Sequence, residues 1–184
     1  MKKLTISLVI MTALCLSLTS CQDKQAMEEL AKYKAQEAKE AANIETVKQF
    51  YIHQDKFLNV EDQKITLGLF AADSKHFGGS SEVSIPMEEI TPFLKMYYTA
   101  FPDLTHHLNN FIAKGDYVAV QLKYTGTQAT EFMGIPPSGK KIECKAVHVF
   151  KLDAGKITEL HFVDDDLAMF TQLGMEMKAS DKKN

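Results

Sequence analysis

Residues 140–174 read KKIECKAVHVFKLDAGKITELHFVDDDLAMFTQLG and carry the patterns of two strands, a tight turn and a helix in succession. Apolar residues recur with a period of two over Lys140 to Leu152 and again over Lys156 to Asp165, which is typical of half-buried strands. The Asp153-Ala154-Gly155 segment between them has the composition of a tight turn. A short helix is predicted over Asp166 to Leu173, because a glycine suited to end a helix follows it.

Two further strands are predicted ahead of this stretch, over Leu104 to Lys114 and Tyr117 to Thr127, with a turn at Gly115-Asp116 between them. Helical patterns come earlier in the chain, so helices precede an antiparallel meander, an order that indicates an α+β fold. We predict a curved antiparallel sheet wrapped around N-terminal helices, with a pocket between helices and sheet.

Three helices are predicted before the strands, because apolar residues there recur at helical spacing. The first begins at Asn43, a suitable N-cap residue. The second covers Asp62 to Phe70. The third begins at Pro86 or Pro92 and stops near Phe101-Pro102-Asp103, since proline is favoured in the first turn of a helix.

The charge composition argues against one class of partner. The 184 residues include 24 acidic and 21 basic ones, for a formal net charge of −3. Every basic residue is lysine, and arginine is absent. Because the guanidinium fork is the preferred group for binding phosphates and base edges, no nucleic-acid partner is predicted. The length fits one domain with one sizeable core.

The N-terminus has the features of a secretion signal. Lys2 and Lys3 form a positive segment, and an apolar stretch over Leu4 to Leu18 follows. The sequence Leu18-Thr19-Ser20-Cys21 resembles the lipobox of bacterial lipoproteins. This resemblance implies a lipoprotein signal peptide over residues 1–20, cleavage before Cys21 and a lipid on its thiol. The alternative is an ordinary signal peptide in which Cys21 happens to lie at the cleavage site.

The segment between signal and domain is rich in Ala, Lys, Glu and Gln and lacks glycine and proline. Residues 21–42 are therefore predicted to be the lipidated cysteine and a helical tether. Gln22 follows the cysteine, whereas aspartate at that position is the usual signal for inner-membrane retention. Resemblance to lipoprotein sorting signals thus implies a lipid-anchored protein of the cell envelope, in the outer membrane of a Gram-negative bacterium.

Short motifs between residues 100 and 174 occur in a characteristic order and spacing. They are Ala100-Phe101-Pro102-Asp103-Leu104, Ile112-Ala113-Lys114-Gly115-Asp116, Thr125-Gly126-Thr127, Gly134-Ile135-Pro136-Pro137-Ser138-Gly139-Lys140, Phe150, Gly155-Lys156-Ile157 and Gln172-Leu173-Gly174. Over residues 43–175 the chain resembles the SnoaL-like polyketide cyclase (ester cyclase) family, which leaves residues 176–184 as a polar tail. The resemblance implies the cone-shaped α+β fold also seen in nuclear transport factor and ketosteroid isomerase. It implies intramolecular aldol chemistry that needs no metal or organic cofactor.

The resemblance also implies two catalytic residues. In the family pattern the general acid/base is an aspartate seven residues before the glutamine of Gln-Leu-Gly, which corresponds to Asp165. A histidine two residues before the strand phenylalanine corresponds to His148. Strict alternation puts His148 on one face with Phe150, and the odd-numbered residues 157–165 on one face of the next strand. A carboxylate in an apolar pocket has a raised pKa, so it serves as a base and, once protonated, as a donor.

The predicted substrate-binding residues are His161, Glu159, Gln121, Phe150 and Tyr51. The first two share the predicted strand face of the acid/base residue. Relatives commonly carry tryptophan at the position of His161 and arginine at that of Gln121. Loss of that positive charge predicts a more neutral ligand than many relatives take.

Structural interpretations compete with some of these assignments. An acidic cluster at a helix N-terminus is favourable by itself, and we assign Asp164 and Asp166 to that role while Asp165 is assigned to the pocket. His106 and His107 are adjacent in a predicted strand, so they point to opposite faces and cannot chelate one ion. No metal site is therefore predicted.

Two functional classes follow from these patterns. The first is an exported, lipid-anchored enzyme that performs cofactor-free acid–base chemistry on a small hydrophobic carbonyl or ester compound. The second is a non-catalytic lipoprotein that binds a hydrophobic small molecule in the same pocket. Export separates the protein from cytoplasmic polyketide synthesis, so the substrate stays open. Resemblance to cone-fold proteins also implies a homodimer through the open sheet face, and a scaffold for partner proteins is the third alternative.

Overall fold

A computed structural model describes residues 2–79, 81, 83–176 and 178, with side chains from Lys24 onward except that of Glu88. The elements in chain order are α1 (Lys2–Gln54), α2 (Val60–Gly68), β1 (Phe70–Gly78), α3 (Met87–Ala100), β2 (Thr105–Lys114), β3 (Tyr117–Thr127), β4 (Lys141–Asp153), β5 (Lys156–Asp164) and α4 (Asp166–Leu173). The four strands and the last helix that the sequence predicted lie within one residue of their predicted bounds.

The chain divides into two compact units, residues 1–39 and residues 40–184. The first consists of the N-terminal part of helix α1, and the second holds the rest of α1 and every other element. Among the described helical residues, no stretch is long and apolar enough to cross a membrane. The lipid-bearing side chain predicted at Cys21 and the tail from residue 179 onward lie outside the described residues.

Helix α1 does not begin at Asn43, so that prediction is wrong. The preceding residues are strong helix formers without a break, and the helix runs through them. Asn43 is instead a buried residue whose side-chain amide donates to the Gly115 carbonyl oxygen at 3.1 Å. This bond ties the helix to the turn between β2 and β3.

The next two helices begin at identifiable caps. The Asn59 side chain accepts hydrogen bonds from the backbone N–H groups of Glu61 and Asp62, so α2 begins two residues earlier than predicted. Pro86 precedes the first residue of α3, in agreement with the earlier of the two predicted starts, and Pro92 lies inside the helix.

The sheet has five strands in the order β1-β5-β4-β3-β2. Strands β2 to β5 form the predicted antiparallel meander. The added strand β1 pairs with β5 in parallel, so the sheet is mixed and not purely antiparallel. The sequence did not predict β1, because its middle residues Asp73, Ser74 and Lys75 are polar and only His76 is fully buried.

A β-bulge in β5 changes which of its side chains face the helices. Leu152 of β4 pairs with Ile157, but the neighbouring Lys151 pairs with Glu159, so Thr158 is an extra residue without a partner in the ladder. Such a bulge reverses the inward and outward alternation beyond it. Consequently the even-numbered residues Leu160, Phe162 and Asp164 face the helices, and the odd-numbered ones face outward.

The core lies between the helices and the inner face of the sheet. Phe50 of α1 packs edge-on against Phe150 of β4 at a ring-centroid distance of 5.4 Å. Tyr97 of α3 packs in the same way against Phe132, at 5.0 Å. These edge-to-face contacts join α1 to the sheet and α3 to the segment between β3 and β4, and they support the walls of a cavity.

Candidate functional site

A cavity of about 570 Å³ lies between the inner sheet face and helices α1 to α4. Its size is typical of a site for a small organic molecule. Most of its wall is aromatic or aliphatic, including Phe70, Phe93, Tyr97, Phe132 and Phe162. Among the described lining residues none is lysine, and the chain has no arginine. The cavity is therefore largely apolar and has no described lysine or arginine side chain to pair with an anionic ligand.

One chain of hydrogen bonds crosses the cavity wall from α1 through β4 to β5. The Tyr51 hydroxyl lies 2.7 Å from Nδ1 of His148, and Nε2 of His148 lies 3.3 Å from Oδ1 of Asp164. His148 is buried, and both His148 and Asp164 line the cavity. This arrangement places a carboxylate, oriented by an imidazole, at an apolar surface.

The Asp164 carboxylate and the Tyr51 hydroxyl together give the direction of these bonds. A carboxylate only accepts, so the His148 ring donates its Nε2–H to Asp164, and Nδ1 is then the acceptor. Burial raises the pKa of Tyr51 well above its usual value, and the nearby charges of Asp164 and Asp55 raise it further, so the hydroxyl keeps its proton and donates it to Nδ1. The second carboxylate oxygen of Asp164 has no hydrogen-bond partner among the described residues and is left for a ligand.

The sequence predicted that Asp165 lies in the pocket, but the structure places it outside. Its carboxylate caps α4 by accepting from the Ala168 backbone N–H at 3.0 Å, and it does not line the cavity. Asp164, which the sequence assigned to capping, occupies the pocket position instead. The bulge at Thr158 is the physical reason, since it turns the even-numbered residues of β5 inward.

The five predicted binding residues fall into two groups. Tyr51 and Phe150 are buried beside His148, with ring centroids 6.0 Å and 6.4 Å from that imidazole. They contribute to the wall behind the site and not to the cavity surface. Phe150 thus supports the site through packing, whereas Tyr51 also contributes the hydroxyl described above.

The remaining three predicted binding residues lie on the outer face of the sheet. The Glu159 carboxylate pairs with Lys151 at 2.9 Å, and the His161 ring stacks on Phe77 with centroids 4.5 Å apart. Gln121 accepts a hydrogen bond from the side-chain amide of Asn110 at 2.9 Å. The structure therefore separates Glu159, His161 and Gln121 from the cavity, and the bulge explains this for the two residues of β5.

Two histidines that the sequence did not assign to the site also line the cavity. His106 faces inward and its neighbour His107 faces outward, as strand alternation predicts. His76 lies in the unpredicted strand β1, and its Nε2 is 3.0 Å from the Ser74 hydroxyl. Burial lowers the pKa of His76 to about 4, so this imidazole is neutral near pH 7. The alternation of side chains along β2 predicts that His106 faces inward, but no local pattern predicts that His76 does.

The environment around Asp164 raises several pKa values. Burial raises the pKa of Asp166, and the charges of Asp164 and Asp165 raise it further. Burial likewise raises the pKa values of Tyr97 and Tyr124 above their usual range, and Asp164 adds to both shifts. Both phenols line the cavity, so the site has protonated hydroxyl groups close to a carboxylate.

Metal binding and thiol chemistry find no support in the described part of the chain. No group of three or more His, Cys, Asp or Glu side chains there is arranged to hold a metal ion. Cys144 is buried, and burial raises the pKa of its thiol to about 11. A thiol in that state is a packed residue and not a nucleophile.

Comparison with known proteins agrees with this architecture. The family model described as SnoaL-like polyketide cyclase matches residues 45–173. A structure described as a SnoaL-like polyketide cyclase from Jannaschia sp. CCS1 is 26% identical, with a TM-score of 0.66 over 75% of this chain and 95% of that one. IdmH from Streptomyces antibioticus, described as a polyketide cyclase, is also 26% identical, with a TM-score of 0.61 over 72% of this chain and 99% of that one.

A third structure, AclR from Streptomyces galilaeus, is described as a hydroxylase. It is 23% identical, with a TM-score of 0.61 over 69% of this chain and 94% of that one, and so shares the fold. No functionally curated protein matches the chain. Since the family model spans more than two thirds of the sequence, this chain belongs to the SnoaL-like polyketide cyclase family.

Proposed function

We propose that this protein is an acid–base catalyst that acts on a neutral, largely apolar carbonyl or ester compound, with Asp164 as the catalytic base. The observation that carries the proposal is the Tyr51–His148–Asp164 chain of hydrogen bonds on the wall of an apolar cavity. A general base must come within hydrogen-bond reach of the proton that it removes, and Asp164 has a carboxylate oxygen left over for that purpose.

The proposed reaction begins with removal of a proton alpha to a carbonyl group by Asp164. The electron pair moves onto the carbonyl oxygen, and an enolate forms. Tyr97 and Tyr124 are protonated phenols on the same cavity wall and supply hydrogen bonds to that oxygen, Tyr97 in exchange for its bond to Met169 Sδ at 3.2 Å. The protonated Asp164 then returns its proton to the product, either at carbon or at the alkoxide of an aldol closure.

His148 acts in this scheme as a positioning residue. Its Nε2–H holds one oxygen of Asp164, while Tyr51 fixes the imidazole from the other side. The two bonds keep the free oxygen of Asp164 directed at the cavity. Orientation of this kind reduces the entropy that must be lost on reaching the transition state.

The charge of the cavity supports a neutral substrate. Its described acidic lining residues are Glu89, Asp164 and Asp166, no described lining residue is lysine, and the chain has no arginine. The acidic groups disfavour a carboxylate or phosphate ligand, and no lysine or arginine is there to pair with one. The family's polyketide substrates are one source of neutral ketones, and other apolar ketones or esters share the same chemistry.

Export and lipid anchoring belong to the same proposal. The positive, apolar and Leu-Thr-Ser-Cys segments at the N-terminus support secretion and lipidation at Cys21. The enzyme would then work in the cell envelope, separated from cytoplasmic biosynthesis. Mass spectrometry of the protein purified from membranes tests this: a diacylglyceryl group at Cys21 is the expected result, and an intact N-terminus contradicts it.

A homodimer through the outer sheet face is also proposed. The exposed apolar residues Ile112, Val147 and Val163 lie on that face. Exposed aliphatic residues on a sheet favour contact with another apolar surface. Light scattering after size exclusion distinguishes a dimer from a monomer.

Exchange of α-protons provides a test that does not require the natural substrate. β-Tetralone is a neutral bicyclic ketone, and in deuterium oxide its α-protons are replaced when a base removes them. Proton NMR of the ketone with the full chain should show accelerated exchange. Asp164→Asn should slow the enzymatic exchange by at least about a hundredfold, because the base is lost.

Asp165→Asn is the matched control, because asparagine also caps helices and the side chain does not line the cavity. This variant should exchange the ketone at the wild-type rate. Equal losses in both variants would contradict the assignment of Asp164. Binding of β-tetralone without any exchange in the wild type would favour the non-catalytic alternative.

A further inference from the structure

A second polar group of side chains lies on the cavity wall, formed by Gln54, Tyr98 and His106. Gln54 and Tyr98 are at the end of α1 and within α3, and both are more than nine-tenths buried. The Gln54 Oε1 and Tyr98 hydroxyl atoms have no hydrogen bond of normal geometry to any described residue, although the two side chains lie close enough for the Gln54 amide to offset part of the rise in the Tyr98 pKa. Buried polar atoms without partners are costly, so a wall that carries two of them indicates a ligand that supplies the missing bonds.

His106 is held in one orientation by Asp55. The Asp55 carboxylate accepts from the His106 ring at Nδ1 over 2.5 Å and from its backbone N–H over 3.1 Å. The ring therefore carries a proton on Nδ1 and presents Nε2, which no described residue bonds. Asp55 thus acts as a positioning residue for an imidazole on the cavity wall.

The donors and acceptors on this wall define the ligand group. Gln54 Oε1 only accepts, so it requires a donor from the ligand. Burial raises the pKa of Tyr98 well above its usual value, and Asp55 raises it further, so the phenol stays protonated and donates. A carbonyl would leave Gln54 unpaired, and an ammonium would leave the Tyr98 proton unpaired. A hydroxyl group both donates and accepts, and it satisfies both residues.

We propose that Gln54 and Tyr98 form a second subsite, which binds a hydroxyl group of a neutral, apolar ligand in the same cavity as Asp164, with His106 Nε2 as an alternative acceptor for the hydroxyl proton. The inference rests on the proposed function, because it takes the cavity to be the substrate site. The His106 and His148 rings both pack against Tyr51, at 5.0 Å and 6.0 Å, and both line the cavity, so the two polar groups lie near each other on one wall. The substrate class is then a hydroxylated ketone or ester with an apolar body.

The subsite is tested with two probes of one ring system, β-naphthol and its methyl ether. The ether only accepts, whereas the naphthol both donates and accepts. Fluorescence titration of the full chain should give a dissociation constant about tenfold lower for the naphthol than for the ether. Equal affinities in the wild type would overturn the proposal.

Tyr98→Phe removes one hydroxyl without changing the ring, and it should lower the affinity for naphthol about threefold to tenfold while binding of the ether stays the same. Because this hydroxyl has no hydrogen bond of normal geometry to any described residue of the free protein, thermal unfolding of the variant should not shift downward. Gln54→Leu should likewise reduce the preference for the naphthol over its methyl ether. If both variants still bound the naphthol more tightly than its methyl ether by the wild-type factor, the proposal would also be overturned.

Asp55→Asn tests the positioning of His106 separately. Nitrogen NMR should show the wild-type His106 ring protonated at Nδ1, and this protonation should be lost from a large fraction of the variant molecules. An unchanged spectrum would contradict the role of Asp55.

The two proposals fail in different ways. If the wild type exchanged the protons of β-tetralone but bound the naphthol and its ether equally, the subsite proposal would be contradicted and the assignment of Asp164 as the base would stand. A preference for naphthol without any exchange would leave the subsite and remove the catalytic assignment.

Discussion

Substitution Tyr51→Phe tests the hydrogen-bond chain behind the cavity. The ring is 2% exposed and packs against Phe50 and Phe150, so phenylalanine keeps all of its packing contacts. Only the 2.7 Å bond to Nδ1 of His148 is lost. Because His148 is also buried, its Nδ1 is left without a partner, and the expected cost is about 1 to 3 kcal/mol in the free energy of unfolding.

The matched control is Tyr98→Phe. Tyr98 is as buried as Tyr51, at 3% exposed, but its hydroxyl has no hydrogen bond of normal geometry to any described residue. Its removal should cost nothing and even stabilise the fold slightly. In urea unfolding followed by circular dichroism, the midpoint should therefore fall for Tyr51→Phe and not for Tyr98→Phe. The dependence of the free energy of unfolding on urea concentration should stay the same. Equal effects of the two substitutions would refute the reasoning about the His148 bond.

Three further predictions concern other parts of the fold. A Cβ at Gly126 would lie 3.1 Å from Leu104 Cδ1 and 3.2 Å from Phe101 Cβ, which cannot rotate away, so Gly126→Ala should lower the free energy of unfolding by about 1 to 3 kcal/mol in urea, whereas Gly68→Ala, which meets nothing within 4 Å, should not. Burial alone would raise the pKa of Asp103, but its hydrogen bonds from the Thr127 N–H and hydroxyl hold it below the usual value. The stabilisation by Asp103 is therefore present above about pH 4 and lost as pH falls below that, and Asp103→Asn should flatten this part of the acid-unfolding curve. Iodoacetamide at neutral pH should label Cys144 only after unfolding, as judged by peptide mass spectrometry; rapid labelling of the folded protein would contradict its burial.

The elements of the meander were predictable because their determinants are local. Period-two alternation and turn residues placed β2 to β5 within one residue of their bounds. The turn between β4 and β5 has Ala154 and Gly155 at positive φ, and the composition of that segment already indicated a tight turn. Local backbone preferences of this kind act wherever the sequence occurs.

Strand β1 was not predictable in the same way. Its polar residues resemble a loop, and it becomes a strand because the edge of β5 offers parallel backbone bonds. Those partners are about 80 residues apart along the chain, as Lys75 pairs with Glu159. The residues around His76 therefore carry no pattern that predicts its position on the cavity wall.

By itself, the sequence determined the fold class, the family, the inward position of His148 on its strand and the general position of an acidic residue at the end of β5. The tertiary structure decided which of the adjacent aspartates enters the cavity. A single extra residue in the β4–β5 ladder, Thr158, reverses every side chain after it, so Asp164 points inward and Asp165 caps the helix. Strand alternation has a period of two, and the position of a bulge depends on pairing with the neighbouring strand, which one strand's sequence does not contain.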